Sequence, residues 1–272
     1  MKGYLAMIGM TLKLSLREKS VIFFNYIFPL IFFFTFGSLF GAATGGISRV
    51  VAIVLVLGVL GSGLFGAGMR AVAEREANVL RRYRVAPITP APMLVASMVT
   101  GWILYLPAAT LVLVLAHFLY GMPVPLRWLS LLALVSVGAI AFRAVGLIVA
   151  SVANSVAESN ILIQTIYMPM LFLSGATFPL TFLPAWGQTF SHFLPATYLF
   201  SGIEGILIRQ QTLGENLVAV GALVITTALA TLISIKLFRW EKDQKLSGSA
   251  KLWILAVFLP FLALGFKALV LK

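Results

Sequence analysis

Apolar runs of about 20 residues recur along this chain, and about 20 residues is the length that carries an α-helix across the hydrocarbon core of a bilayer. They fall at about 21–40, 50–69, 93–120, 128–152, 161–179 and 217–235. Backbone amides in lipid must be satisfied within the segment, so each run is expected to be helical. A further run, 252–272, is a candidate seventh span, interrupted by Pro260 and Lys267. Composition agrees. The chain is 61% hydrophobic and 10% charged, where soluble domains carry about 25% charged residues. A conventional water-soluble globule is excluded for want of a polar shell. Disorder is excluded because disordered chains are poor in apolar residues. There are no cysteines, so disulfides and thiol chemistry are excluded.

These runs predict an all-α integral membrane protein. Residues 1–20 are expected to form an amphipathic helix on the membrane surface, with Leu5, Ile8, Leu12 and Leu16 at helical spacing and Lys13 and Arg17 on another face. Residues 21–238 form the six-span domain, 70–92 a loop, and 239–251 a basic linker. Basic residues favour the cytoplasmic side. With the N-terminus inside, that side holds Lys2, Lys13, Arg17, Lys19, Arg70, Arg75, Arg81, Arg82, Arg84, Lys236, Arg239, Lys242, Lys245 and Lys251. Only Arg49, Arg127 and Arg209 lie in segments on the other side. The net charge of +12 is therefore read as an orientation signal, with no nucleic-acid partner required.

Segment 179–214 is external in this topology yet largely apolar. Its halves, Thr181–Phe193 and Ala196–Arg209, are separated by Pro195, and each is too short to cross. A re-entrant or interfacial helix pair between spans five and six is expected. Trp186 and Tyr198 suit an interface.

Catalytic motifs are scarce. No G-x-x-x-x-G-K-[ST] loop is present to cradle ATP phosphates, and no H-E-x-x-H to bind zinc. A serine–histidine site would have to join Ser62 or Ser174 to His117 or His192, at no diagnostic spacing. The spans carry no Asp or Glu, which weakens an ion-coupled carrier. Arg143 is the ionisable group well inside a clear span, and an arginine there needs a partner or a route to the interface. Glu158, across the loop between spans four and five, is the candidate partner.

The loop after span two reads Glu74-Arg75-Glu76-Ala77-Asn78-Val79-Leu80-Arg81-Arg82-Tyr83-Arg84-Val85-Ala86-Pro87-Ile88-Thr89-Pro90. Charges of both signs around Val79, Leu80 and Tyr83 predict a short helix with a docking face, which Pro87 and Pro90 would end. A second stretch reads Leu173-Ser174-Gly175-Ala176-Thr177-Phe178-Pro179, followed by Leu183-Pro184-Ala185-Trp186 and Leu194-Pro195-Ala196-Thr197-Tyr198. In that order among six spans, the two stretches resemble the membrane subunit of ABC-type exporters of the type-2 permease family. The resemblance covers roughly residues 1–240. It departs where the family commonly carries Gly-Thr and this chain has Ala77-Asn78.

The resemblance implies a transport subunit rather than an enzyme, with no cofactor of its own, ATP and magnesium belonging to separate cytoplasmic ATPase subunits. It implies a pair of permease chains in a bacterial inner membrane. It implies that Glu74, Arg75, Glu76, Leu80, Arg81, Arg82, Tyr83 and Arg84 meet the ATPase, and that Ser174, Gly175, Pro179, Pro184, Trp186, Pro195 and Tyr198 shape the external hairpin. Phe- and Leu-rich spans with few fixed charges favour a lipophilic or amphiphilic cargo, such as a drug or a lipid-linked molecule. A self-contained carrier or channel of six or seven spans is the alternative.

Overall fold

A computed structural model describes residues 2–41, 46–80, 89–241, 244 and 252–270. Among them every regular element is helical. An N-terminal helix, Lys2–Ser15, precedes the first span. That span is built from Lys19–Ile22, a π-helical turn at Phe23–Ile27 and Phe28–Phe40, which follow without a break. Among the described residues five helices are long and apolar enough to cross a membrane, Ile47–Glu76, Pro90–Tyr120, Trp128–Val152, Val156–Leu173 and Gly214–Lys236, while the apolar helix of the expected first span, Asn25–Phe40, is shorter.

Two of the helices begin or end well away from the apolar runs, for physical reasons. The fifth span runs from Val156 to Leu173, earlier at both ends than 161–179. Ser155 starts it, its Oγ accepting from the Glu158 amide at 3.1 Å, while the Glu158 carboxylate accepts from the Asn154 amide at 2.7 Å. That reciprocal pair is a variant of the capping box and anchors the helix start. The second span continues through the segment read as loop, ending only at Glu76. Pro90, expected to stop a helix, instead opens the third span, where a proline has no amide to lose.

The second span is the axis of the bundle. Val50 to Leu60 is buried without interruption, and Leu64 and Ala67 continue the core. The first, third and fourth spans and helix Pro195–Arg209 pack around it. The fourth span approaches closest, through small residues. A Cβ added at Gly63 would lie 2.7 Å from the Phe142 carbonyl carbon, and one at Gly68 2.9 Å from the Gly146 oxygen. In lipid, where apolar burial between helices gives no drive, such close contact supplies the attraction. The second span also contains a nine-residue π-helical stretch, Gly61–Met69, facing this crossing.

The N-terminal helix lies along the third span. Its packed face is Met7, Ile8, Thr11, Leu12 and the fully buried Ser15, whereas Leu5 and Leu16 from the expected stripe point outward. The segment after the sixth span also differs from a simple seventh crossing. It forms a short turn of helix, Trp253–Ala256, and then Leu259–Val270. Twelve residues rise about 18 Å, well short of the roughly 30 Å hydrocarbon core. This helix packs against the sixth span, where Thr226 Oγ1 donates to the Val257 oxygen at 3.3 Å, and its buried Phe261 meets Tyr198.

Candidate coupling segment, buried arginines and hairpin

The charged end of the second span lies about one hydrocarbon thickness along the helix from Arg49. Arg49 and Arg70 stand 21 positions apart, or about 31 Å along a helix, which matches the hydrocarbon thickness. Arg70, Glu74, Arg75 and Glu76 therefore form a stalk past that thickness. The stalk ends with Ala77 bonded back to Ala73 and Asn78 in the left-handed region at φ 55°. Asparagine is one of the few residues that tolerate this conformation, so Ala77-Asn78 makes the helix stop that glycine usually makes.

The expected docking residues separate into different roles. Glu74 accepts from Arg70 Nε at 2.8 Å, and Arg70 also pairs with Glu18 at 3.3 Å and donates to Ser15 Oγ. The stalk is thereby tied to the N-terminal segment. Glu76 is exposed and accepts from the Val156 amide at 3.0 Å, at the start of the fifth span. Leu80 is buried. Arg81, Arg82, Tyr83 and Arg84 lie outside the described residues.

Arg75 is a correction to the sequence reading. It is only 3% exposed and faces inward, so it presents nothing to a partner. Its Nη1 and Nη2 donate to the carbonyls of Ala150 and Ala153 at 2.9 and 2.6 Å. Arg239 joins it there, bonding Ser151 O at 3.1 Å, Asn154 Oδ1 at 2.8 Å and the Ala153 carbonyl. The last carbonyls of a helix lack intrahelical partners and carry the negative end of its dipole. Two guanidinium groups from distant parts of the chain therefore cap the fourth span. Burial lowers the pKa of Arg239, and the nearby Glu158 carboxylate partly offsets this.

Arg143 is likewise held by carbonyls. Its Nε donates to Ser97 O on the third span at 2.5 Å and its Nη1 to Ser62 O on the second at 3.3 Å. The guanidinium lies over Gly101, where any Cβ would collide with it. The expected partner, Glu158, is engaged at the fifth-span cap, and the helix crossing supplies carbonyls in its place. Ser62 lies in the π-helical stretch, where carbonyls leave the regular ladder. Its hydroxyl donates to Asn25 Oδ1 at 2.9 Å, and Asn25 Nδ2 donates to Val21 O at 2.8 Å. Asn25, Ser62, Arg143 and the Ser97 carbonyl thus join four spans at one level. The sequence reading missed Asn25, although an amide inside an apolar run was a readable signal.

At the opposite end, the hairpin follows its prolines. Ser174 is fully buried, and Gly175 takes φ +86°, which a side chain would strain. Pro179 leads into the turn Leu180–Phe182, Pro184 into helix Ala185–Ser191, and Pro195 opens helix Pro195–Arg209. Trp186 is exposed, while the Tyr198 hydroxyl donates to His192 O at 2.8 Å. Arg49 clasps the hairpin to the second span. Its Nη1 meets Glu204 Oε1 at 2.7 Å, its Nη2 reaches Gly175 O at 3.4 Å, and Phe200 lies 5.5 Å beneath it. These residues border a cleft of about 290 Å³ with Thr181 and Thr197. Neither a serine–histidine pair nor a metal cluster is seen in these sites. Ser62 bonds Asn25, and His117 Nδ1 bonds Met122 O at 2.8 Å. Among the described residues no group of ligating side chains suits a metal.

Apolar crossing helices, a charged stalk at one end and a short-helix hairpin at the other define an all-α, multi-pass membrane protein. The model of the ABC-2 type transporter family matches residues 3–208, and the chain belongs to that family. It is 36% identical over 121 residues to "Nodulation protein J" of Rhizobium leguminosarum bv. trifolii, covering 42% of this chain and 44% of that one. It is 25% identical over 203 residues to "Inner membrane transport permease YhhJ" of Escherichia coli (strain K12), covering 73% of this chain and 51% of the relative. "ABC transporter G family member 20" of Dictyostelium discoideum is 32% identical over 134 residues, 48% of this chain and 18% of its own length. The chain thus spans about half or less of the curated relatives it matches. Family membership gives the chain the character of an ABC-2 type membrane permease.

Proposed function

We propose that this chain pairs with a second permease chain to form a translocation path, and that separate ATPase subunits drive it from the stalk end. The N-terminus and stalk are then cytoplasmic, in a bacterial inner membrane, and the hairpin is external. The observation that carries this reading is the continuity of the second span, which runs as one helix from the Arg49–Glu204 clasp to the charged stalk at Glu74 and Glu76. A push on the residues around Glu74–Pro90 is delivered along one continuous helix to the hairpin, and through Arg70 to the N-terminal segment. The spans then rock and the path between protomers changes access. ATP and magnesium act in the partner chain.

The cargo proposed is lipophilic or amphiphilic, exported through walls rich in Phe and Leu. The reading is tested by purifying the tagged chain from its native membrane in mild detergent. The expected result is a stoichiometric ATPase and a co-purifying amphiphile identified by mass spectrometry. Transport by the reconstituted chain without any ATPase would establish a self-contained carrier instead.

A further inference from the structure

Two cations converge on one carboxylate at the hairpin. Glu204 Oε1 meets Arg49 Nη1 at 2.7 Å, and its Oε2 lies 4.0 Å from Arg209 Nη1. This cluster keeps one positive charge in excess. Arg49 is also held loosely. Its contact with Glu204 uses one N–H and one oxygen, and its bond to Gly175 O is long at 3.4 Å. Its other N–H groups have no acceptor among the described residues. Phe200 lies 5.5 Å beneath the guanidinium, and stacking of this kind occupies its face while leaving the N–H edge available. The Arg49 and Glu204 side chains are 19% and 16% exposed, so solutes reach the pair.

The cleft of about 290 Å³ opens beside this pair. At about 15 Å³ per water-sized group, it has ample room for a phosphate group. Thr181 adds an exposed hydroxyl to its wall, with no partner among the described residues. Ser201 lies on another wall, and Arg209 Nη2 reaches Ser201 O at 3.5 Å, which brings the second cation to the rim. Excess positive charge, unspent guanidinium donors and a hydroxyl suit a phosphate, which guanidinium groups bind through paired, charge-assisted hydrogen bonds. We infer that the cleft is a phosphate site, and that the bound phosphate takes the place of Glu204 on Arg49. Glu204 is the resident competitor, in an ion pair of the partly exposed kind that exchanges readily. Neither an ATPase nor cargo movement is needed for this binding, so the site stands or falls separately from the proposed transport cycle.

The test uses the full chain in its native assembly, in neutral detergent at low salt and without ATP. Inorganic phosphate, hexyl phosphate and hexylammonium are titrated separately by calorimetry. Hexyl phosphate should bind at least tenfold more tightly than hexylammonium. Inorganic phosphate binding as tightly as hexyl phosphate assigns the site to free phosphate, and tighter hexyl phosphate assigns it to the head of an amphiphile. Arg49→Gln should weaken phosphate binding at least tenfold. Glu204→Gln should tighten it about threefold, because the competing carboxylate is gone. A clasp with a structural role alone would lose binding alike in both variants, so weakening by Glu204→Gln overturns the proposal. Arg209→Gln leaves the Arg49–Glu204 contact in place and should weaken binding about threefold, which keeps the test open if either clasp variant fails to fold. Hexylammonium binding as tightly as hexyl phosphate, or no binding of either phosphate, also overturns it.

Discussion

The two ends of the second span use arginine in opposite ways. Near its start, Arg49 meets a carboxylate, Glu204, in a partly exposed pair that fastens the hairpin. Near its end, Arg75 is buried against the Ala150 and Ala153 carbonyls, with Arg239 beside it. An ion pair with some water access is weak and can be exchanged. A guanidinium capping a buried helix end is costly to remove, because a carbonyl it alone caps, here that of Ala150, is then left bare. Basic residues at the two ends of one helix therefore need not share a task. The hairpin clasp is built to be adjustable, and the arginine cap is built to hold.

Removing the cap should give the largest effect. Arg75→Ala strips two charged hydrogen bonds, leaving the Ala150 carbonyl without its donor and Ala153 with Arg239 alone, and should cost about 3 kcal/mol. Thermal unfolding in detergent checks this, and unchanged stability would break the contrast between the ends. Gly101→Ala forces the Arg143 guanidinium from its slot between the second and third spans, and overpacking of this kind costs about 2 kcal/mol. Loss of the fifth-span cap in Ser155→Ala should cost about 1 kcal/mol in the same assay. A double-mutant cycle on Arg49 and Glu204 should return a coupling of about 1 kcal/mol or less, falling as salt is raised. A coupling as large as the Arg75 effect would erase the proposed asymmetry.

Much of this architecture was legible in hydropathy alone. Helix Trp128–Val152 follows an apolar run flanked by turn residues, which leaves little choice of conformation. The division of the hairpin was readable from Pro195, which opens the second helix, whereas the break at Pro184 inside the first half was not anticipated. The fate of individual arginines was not legible. Composition places Arg75 in a basic segment, but only packing turns it toward the end of a helix some 75 residues away. Arg143 defied pairing rules for a related reason. Glu158 has a nearer use at its own helix cap, and the π-helical stretch around Ser62 offers a carbonyl that no pattern of apolar residues foretells. The second span's extension to Glu76 was hidden because charge was read as loop, although helices continue past the bilayer in water.

The central claim is that the surface beyond the stalk meets an ATPase while the buried arginines only hold the bundle. The most direct measurement is the amount of ATPase retained per permease chain on affinity purification of the wild type and of a Glu74→Ala, Arg81→Ala, Arg82→Ala triple variant. The wild type should retain one ATPase per chain, and a triple variant that inserts and unfolds like the wild type should lose most of it. Full ATPase retention by the triple variant, or a wild-type chain that purifies with none, would contradict it.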